Sequence, residues 1–195
     1  MDASDYRLCC VYPARNEYLQ VRFTSTEREQ IEEFNRAGDS NYGINVRELT
    51  SAVYAAITWG KYWSGSSSAP RYVRYWIDNQ SVISWNNRRS SRSPLAQLLL
   101  RLLSLLEVQH NCYGSAAHIP GVENIAADAG SRVWQSPAHA SQFANLSLSW
   151  SQVHVPIDCR DLWRLWERYC AQGPSRTLHE LYISVPGVSG ASGAQ

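Results

Sequence analysis

Five cysteines, at positions 9, 10, 112, 159 and 170, include no Cys-x-x-Cys pair, and their odd number leaves a thiol over from any disulfide framework. Neither a zinc scaffold nor a disulfide-stapled fold is expected, and a reduced intracellular setting fits, with nucleus and cytoplasm not distinguished. A charge excess of one sign is also lacking: 18 Lys and Arg face 17 Asp and Glu, a formal net charge of +1. With no global basic field, any nucleic-acid binding has to rest on a local patch. No apolar run approaches the roughly 18 residues of a membrane span, and the start shows no basic and apolar leader pattern. The longest apolar segment, Leu95–Val108, is interrupted by Gln97, Arg101, Ser104 and Glu107 and reads as a core helix, so no membrane is expected as a partner.

What is present is enough apolar mass for one core. The chain has 195 residues, 44% of them hydrophobic, and the reading is one domain with an extension. Its 8 Trp and 11 Tyr are permissive for stacking on bases, although most such rings fill cores. Leu8–Tyr12 and Tyr18–Phe23 have strand composition and are separated by Pro13–Glu17, which predicts an antiparallel hairpin. Thr26 and Glu29 stand in capping-box spacing at the start of a predicted surface helix over 26–36. Asn45 and Glu48 repeat that spacing ahead of a helix with Leu49, Val53, Ala56 and Ile57 on one stripe, which gives Glu48 an ordinary capping role as one of its two readings.

Tyr72–Ile77 is an apolar run of strand length that stops on Asp78-Asn79, both of them helix-capping residues, before a helix carrying Val82, Ile83 and Trp85. A carboxylate at the carboxyl end of a buried strand is where open α/β sheets place chemistry, so Asp78 is either a cap or a site residue. Asn86–Pro94 follows, the one concentrated basic stretch, whose Arg88, Arg89 and Arg92 either hold phosphates or form a solvated loop. A helix over 94–107 and a strand over Cys112–Ala117 lead to His118. There a Pro-Gly loop enters a helix of small residues, with Asn124 and Asp128 four apart on one face. Asp128 lies among Ile125, Ala126, Ala127 and Ala129, and a partly buried carboxylate needs a partner such as a cation.

The segment His118-Ile119-Pro120-Gly121, Asn124, Ala127-Asp128 and Ser131-Arg132 resembles the terminal motif of ribonuclease H domains in retroelement reverse transcriptases. Asp2, Glu48, Asp78 and Asp128 are similar in order to the four acids of that family. The connecting runs, including Ser93–Leu106, most closely resemble the ribonuclease H region of tyrosine-recombinase retrotransposons of the DIRS type. The likeness spans residues 2–132. It implies an α/β fold with a mixed five-stranded sheet flanked by helices, and Asp2, Glu48, Asp78 and Asp128 holding Mg²⁺, with Mn²⁺ as an alternative. It implies His118 as proton shuttle, Asn124 as a supporting helix position, and a substrate-side surface of Asn79, Asn124, Arg88, Arg89 and Arg92. The substrate implied is the RNA strand of an RNA/DNA hybrid, read by shape and 2′-OH groups.

Family members carry an apolar run before the first acid, whereas only Met1 precedes Asp2 here, so the first strand is expected to be truncated and Asp2 to be prone to fray. Asp5 is three residues on, and strand geometry turns it to the other face. Arg7 stands where a small turn residue would serve, and Gly130 where a helix former would. These features suggest a piece of a retroelement polyprotein whose adjacent domains are partners. Residues 1–134 are expected to form the ribonuclease H-like domain and 135–184 an extension with an amphipathic helix over 158–171, leaving 185–195 as a disordered tail. The alternative reading is a non-catalytic member of the fold that binds nucleic acid or another protein.

Overall fold

A computed structural model describes residues 1–38, 41–66 and 69–172. The expected hairpin forms first. Strands β2 (Arg7–Tyr12) and β3 (Glu17–Arg22) pair antiparallel over six residues each, around a 3₁₀ turn at Pro13–Arg15 that Asn16 closes at φ 50°. Ahead of them β1 is only Asp2–Ala3, paired with Cys9 and Leu8. Although β1 is short, Asp2 is 4% exposed, paired with Cys9 and hydrogen-bonded by the Ser131 hydroxyl.

Helix α1 (Ser25–Ala37) starts at Thr24, whose hydroxyl accepts from the Glu27 amide while Glu27 accepts from Thr24. The capping box thus lies two residues before the Thr26/Glu29 pair. Both pairs have the spacing, and the chain uses the first one available after β3 ends at Arg22. Helix α2 (Ile44–Trp63) starts at Gly43, which leaves Asn45 inside the first turn; its side-chain oxygen accepts from Asn79 Nδ2 at 2.7 Å. Glu48 therefore caps nothing. The helix buries Leu49, Val53, Ala56 and Ile57 as expected, but also Arg47, Thr50, Ser51 and Tyr54, because it is covered all round.

Strand β4 (Arg71–Ile77) leads into α3 (Gln80–Arg88), and α4 (Pro94–His110) leads into β5 (Cys112–His118), which pairs parallel with β4 over seven residues. Helix α4 runs three residues past the expected end and stops at Asn111, in the left-handed conformation. Its leucines pack against α2, and Leu98–Leu100, Leu102, Leu103 and Leu106 are buried. At ~1.5–3 kcal/mol per buried leucine, this contact is a main source of stability.

Helices α5 (Ile125–Ser131) and α6 (Pro137–Leu146) follow, then β6 (Ser151–Val153), parallel to β3, and α7 (Leu162–Gln172). The amphipathic helix begins later than residue 158 because Ile157–Cys159 forms a separate 3₁₀ turn; it packs on α4 through buried Leu165. Val155, Cys159 and Leu165 join the same core as α2 and α4. Residues 173–195, including the predicted tail, lie outside the described residues. Among the described residues no helix is long and apolar enough to cross a membrane.

The fold is mixed α/β, with seven α-helices among the described residues. Its strands form one mixed sheet of four, in the order β1-β2-β3-β6, and one parallel pair, β4-β5. The single five-stranded sheet of the expectation is divided where β1 is shortest. A bond between the Met1 ammonium and the Trp76 carbonyl, 3.1 Å long, crosses the division.

Gly130 turns out to be a packing requirement. A Cβ there would lie 2.4 Å from Cys9 Sγ and 2.7 Å from Phe143 Cε2, so only glycine lets α5 approach β2 this closely. Arg7 likewise has a use, its guanidinium stacking on Trp134 at 4.6 Å. Gly130→Ala is expected to cost about 1–3 kcal/mol in urea unfolding, the range for overpacking; an unchanged midpoint would show that the contact is loose.

Candidate metal centre

The strand-end acid and the helix acid reach each other because two elements end at one place. Asp78 follows the last residue of β4, and Glu48 sits one turn into α2. Asn79, not Asp78, caps α3: its side-chain oxygen accepts from the Ser81 and Val82 amides, while its nitrogen donates to Asn45. Relieved of capping, the Asp78 carboxylate is available elsewhere. Asp2 arrives from β1, where the Ser131 hydroxyl donates to its Oδ2. The result is that Asp2, Glu48 and Asp78 each place a carboxylate oxygen within 4.8 Å of the other two.

Three carboxylates this close, two of them buried, are electrostatically uncomfortable, and the protonation equilibria show it. Glu48 is pushed up from an ordinary 4.5 to about 8, first by burial and then by the charges of Asp78 and Asp2, with Asn79 and the Met1 ammonium offsetting part of it. Asp2 is also raised, by burial first; the Ser131 hydrogen bond opposes this, and Asp78 and Asp128 add to it. Glu48 Oε2 is buried with no hydrogen-bond partner. A buried orphan oxygen costs about 1–3 kcal/mol unless something outside the chain meets it. Hard oxygen donors, mutual repulsion and an unmet lone pair are the donor chemistry of a Mg²⁺ or Mn²⁺ site, so these residues fit such an ion.

Asp128 is not one of the three. It lies close enough to raise Asp2, but its Oδ1 is 2.8 Å from Arg132 Nε, and both side chains are about two-fifths exposed. Asp5 is engaged too, its Oδ1 2.5 Å from Nη1 of the buried Arg47. His118 ends β5 as the register partner of Ile77, the residue before Asp78; it is exposed and does not belong to the cluster of Asp2, Glu48 and Asp78. The Pro120–Asn124 loop passes the same carboxylate: a Cβ on Gly121 would sit 3.9 Å from Asp78 Oδ2.

The expected substrate-side residues divide. Asn124 is buried and holds Met1, accepting from its ammonium at 3.4 Å and donating to its carbonyl at 3.1 Å. Asn79 is engaged as cap and clamp. Arg89 ion-pairs with Glu107 and donates to Gly114 and Asn86, tying α3 to α4 and β5. Arg88 and Arg92 are exposed and line a hollow of about 380 Å³ with Ser84, Ser90 and Ser91, hydroxyls suited to phosphate oxygens. Ser131 was visible in the sequence only as part of the terminal motif, and no spacing pointed to its bond with Asp2. No family model matches this chain, and no curated protein or solved structure does either.

Proposed function

We propose that this chain is a metal-dependent nuclease of ribonuclease H type that cleaves the RNA strand of RNA/DNA hybrids, and that it derives from a retroelement reverse transcriptase polyprotein. The observation that supports it most is the meeting of Asp2, Glu48 and Asp78 within 4.8 Å from three separate segments, in the order the resemblance assigns. On this reading the five-stranded arrangement of the family persists here with its first strand reduced to Asp2–Ala3 and its sheet divided in consequence.

Asp2, Glu48 and Asp78 hold Mg²⁺ or Mn²⁺, which when bound supplies charge neutralisation at the scissile phosphate and a more acidic water. Asp2 is fixed by Ser131 and by its pairing with Cys9, and Glu48 by the rigidity of α2. His118, exposed at the end of β5, carries the proton that must leave the attacking water or reach the departing 3′ oxygen. Asp128, paired with Arg132 and near enough for its charge to act on Asp2, takes part in metal binding only if that ion pair opens. Arg88 and Arg92 hold the backbone of the DNA strand, and their contribution falls with salt.

The engagement of Asp128 with Arg132 favours one other reading, a non-catalytic domain of the same fold that binds nucleic acid. Incubation with an RNA/DNA hybrid, single-stranded RNA and duplex DNA separates the two. The nuclease reading predicts cleavage of the hybrid's RNA strand in Mg²⁺, with 5′-phosphate and 3′-hydroxyl ends, stopped by chelator. Binding of the hybrid in low salt without cleavage by well-folded protein establishes the other.

A further inference from the structure

The parallel pair of β4 and β5 is covered on one side and open on the other. Helices α2, α3 and α4 contact it, and Tyr75, Ile77 and Ala116 are buried in the core they share. On the opposite side, the two-residue period of a strand aligns Tyr72, Arg74 and Trp76 of β4 with Tyr113, Ser115 and Ala117 of β5, partner by partner in the register. Tyr72 is 85% exposed, Tyr113 59% and Trp76 49%, and Arg74 and Ser115 are exposed as well. Parallel strands ordinarily carry helices on both faces, so an open face of aromatic rings calls for a partner. A further strand paired beside β4 would lie in the plane of the sheet and leave this face as it is.

The side chains on the face suit flat rings joined by phosphates. Tyr72 and Tyr113 lie ring beside ring, their centroids 5.8 Å apart and their planes 31° from parallel, which makes a shelf two rings wide. Four residues further along β4, about 13 Å at roughly 3.3 Å each, Trp76 offers another ring. Arg74 stands between them. Its guanidinium is 5.9 Å from the centre of the Trp76 ring, and it has no ion pair or hydrogen bond among the described residues. The two strands carry Arg71 and Arg74 and no acid, so the face favours an anion. Of its six outward positions only Ala117 is aliphatic, which gives an apolar helix little to pack on.

We propose that the open face of β4 and β5 binds single-stranded nucleic acid, with bases stacked on the Tyr72–Tyr113 shelf and on Trp76, and the phosphates that join them held by Arg74. Stacking of this kind accepts any base, because each has a π face, and it requires bases that are not already paired. Strand β4 delivers Asp78 two residues beyond Trp76, so under the nuclease reading a single-stranded segment would lie along the strand that leads to the acids. The rings and the charge need no metal, and the site stands whether or not the acids bind one.

The test uses the full chain in chelator, with fluorescein-labelled decathymidylate followed by anisotropy. Saturable binding is expected, and an abasic oligomer with the same number of phosphates should bind about tenfold more weakly or worse. Decauridylate in a parallel titration shows whether RNA or DNA is preferred, and tighter binding of either supports the site. Tyr72→Ala should weaken binding about tenfold and Tyr72→Phe should restore it, with circular dichroism unchanged because the ring is exposed. Arg74→Gln should weaken binding and flatten its dependence on salt. Absence of saturable binding overturns the proposal, as does equal binding of the abasic oligomer. Binding that Tyr72→Ala leaves intact and that Arg88→Gln with Arg92→Gln abolishes also overturns it, because the strand would then sit at the loop after α3. If these results hold and no hybrid is cleaved in Mg²⁺, the nuclease reading fails and this site remains.

Discussion

Asp78→Asn is expected to reduce Mg²⁺-dependent cleavage of an RNA/DNA hybrid by about a thousandfold or more while leaving the protein folded. The size follows from the several kcal/mol a bound divalent ion contributes to a phosphoryl transition state, of which about 4 kcal/mol is a factor of a thousand. The unchanged fold follows from the position: Asp78 caps no helix, that task belonging to Asn79, and it stands at the edge of the centre beside two buried acids. Removing its charge relieves Glu48 and Asp2, both of which it pushes upward, so the metal-free melting temperature should stay level or rise. Single-turnover cleavage and a thermal melt on the same preparation check both halves. A variant that retains activity refutes the assignment, and one that loses activity only by unfolding shows that Asp78 is structural.

The second large effect is in stability against pH. In metal-free folded protein Glu48 titrates near 8, against 4.5 for an ordinary glutamate. Between those values the folded chain retains a proton that the unfolded chain has released, so stability falls as pH rises, and the loss is complete above about 8. The slope is on the order of 1.4 kcal/mol per pH unit, several kcal/mol over the window, and Asp2, also raised by its burial, acts in the same direction. Glu48→Gln removes the titrating group and keeps the shape. Urea unfolding in chelator from pH 5 to 9 should find the two proteins similar near pH 5 and the variant clearly more stable near pH 8. Superimposable profiles would mean that Glu48 is not held in the crowded, buried state.

Much of this was legible in the residues. Apolar runs with turn residues between them placed β2, β3, β4 and β5, and the leucine-rich run ahead of His110 placed α4, because in each case the local pattern and the core agree. Three of the four acids meet as their order suggested. The errors came where two residues competed for one task. Asp78 and Asn79 both offered cap chemistry for α3 and Asn79 takes it, while the Thr26 and Glu29 pair read as the capping box of α1 is displaced by Thr24 and Glu27, which have the same spacing. Strand β6 escaped because Ser151–Val153 is three largely exposed residues with no apolar alternation, stabilised by its neighbour β3 alone. Arg89 and Asn124 carry the right chemistry for nucleic acid, but long-range packing engages them with Glu107 and with Met1, contacts that no local spacing reports. Gly130, a poor helix former, is explained by the sulfur of Cys9 and the ring of Phe143 packed against it.

The central claim, that Asp2, Glu48 and Asp78 form a divalent-cation site, is tested most directly by titrating the metal-free protein with Mn²⁺ at pH 7.5 and following the free ion by electron paramagnetic resonance. The account predicts saturable binding, with proton release because Glu48 must ionise to bind, competition by Mg²⁺, and loss of the site in Asp78→Asn. Absence of saturable binding by the folded protein, or binding that Asp78→Asn leaves intact, would contradict it.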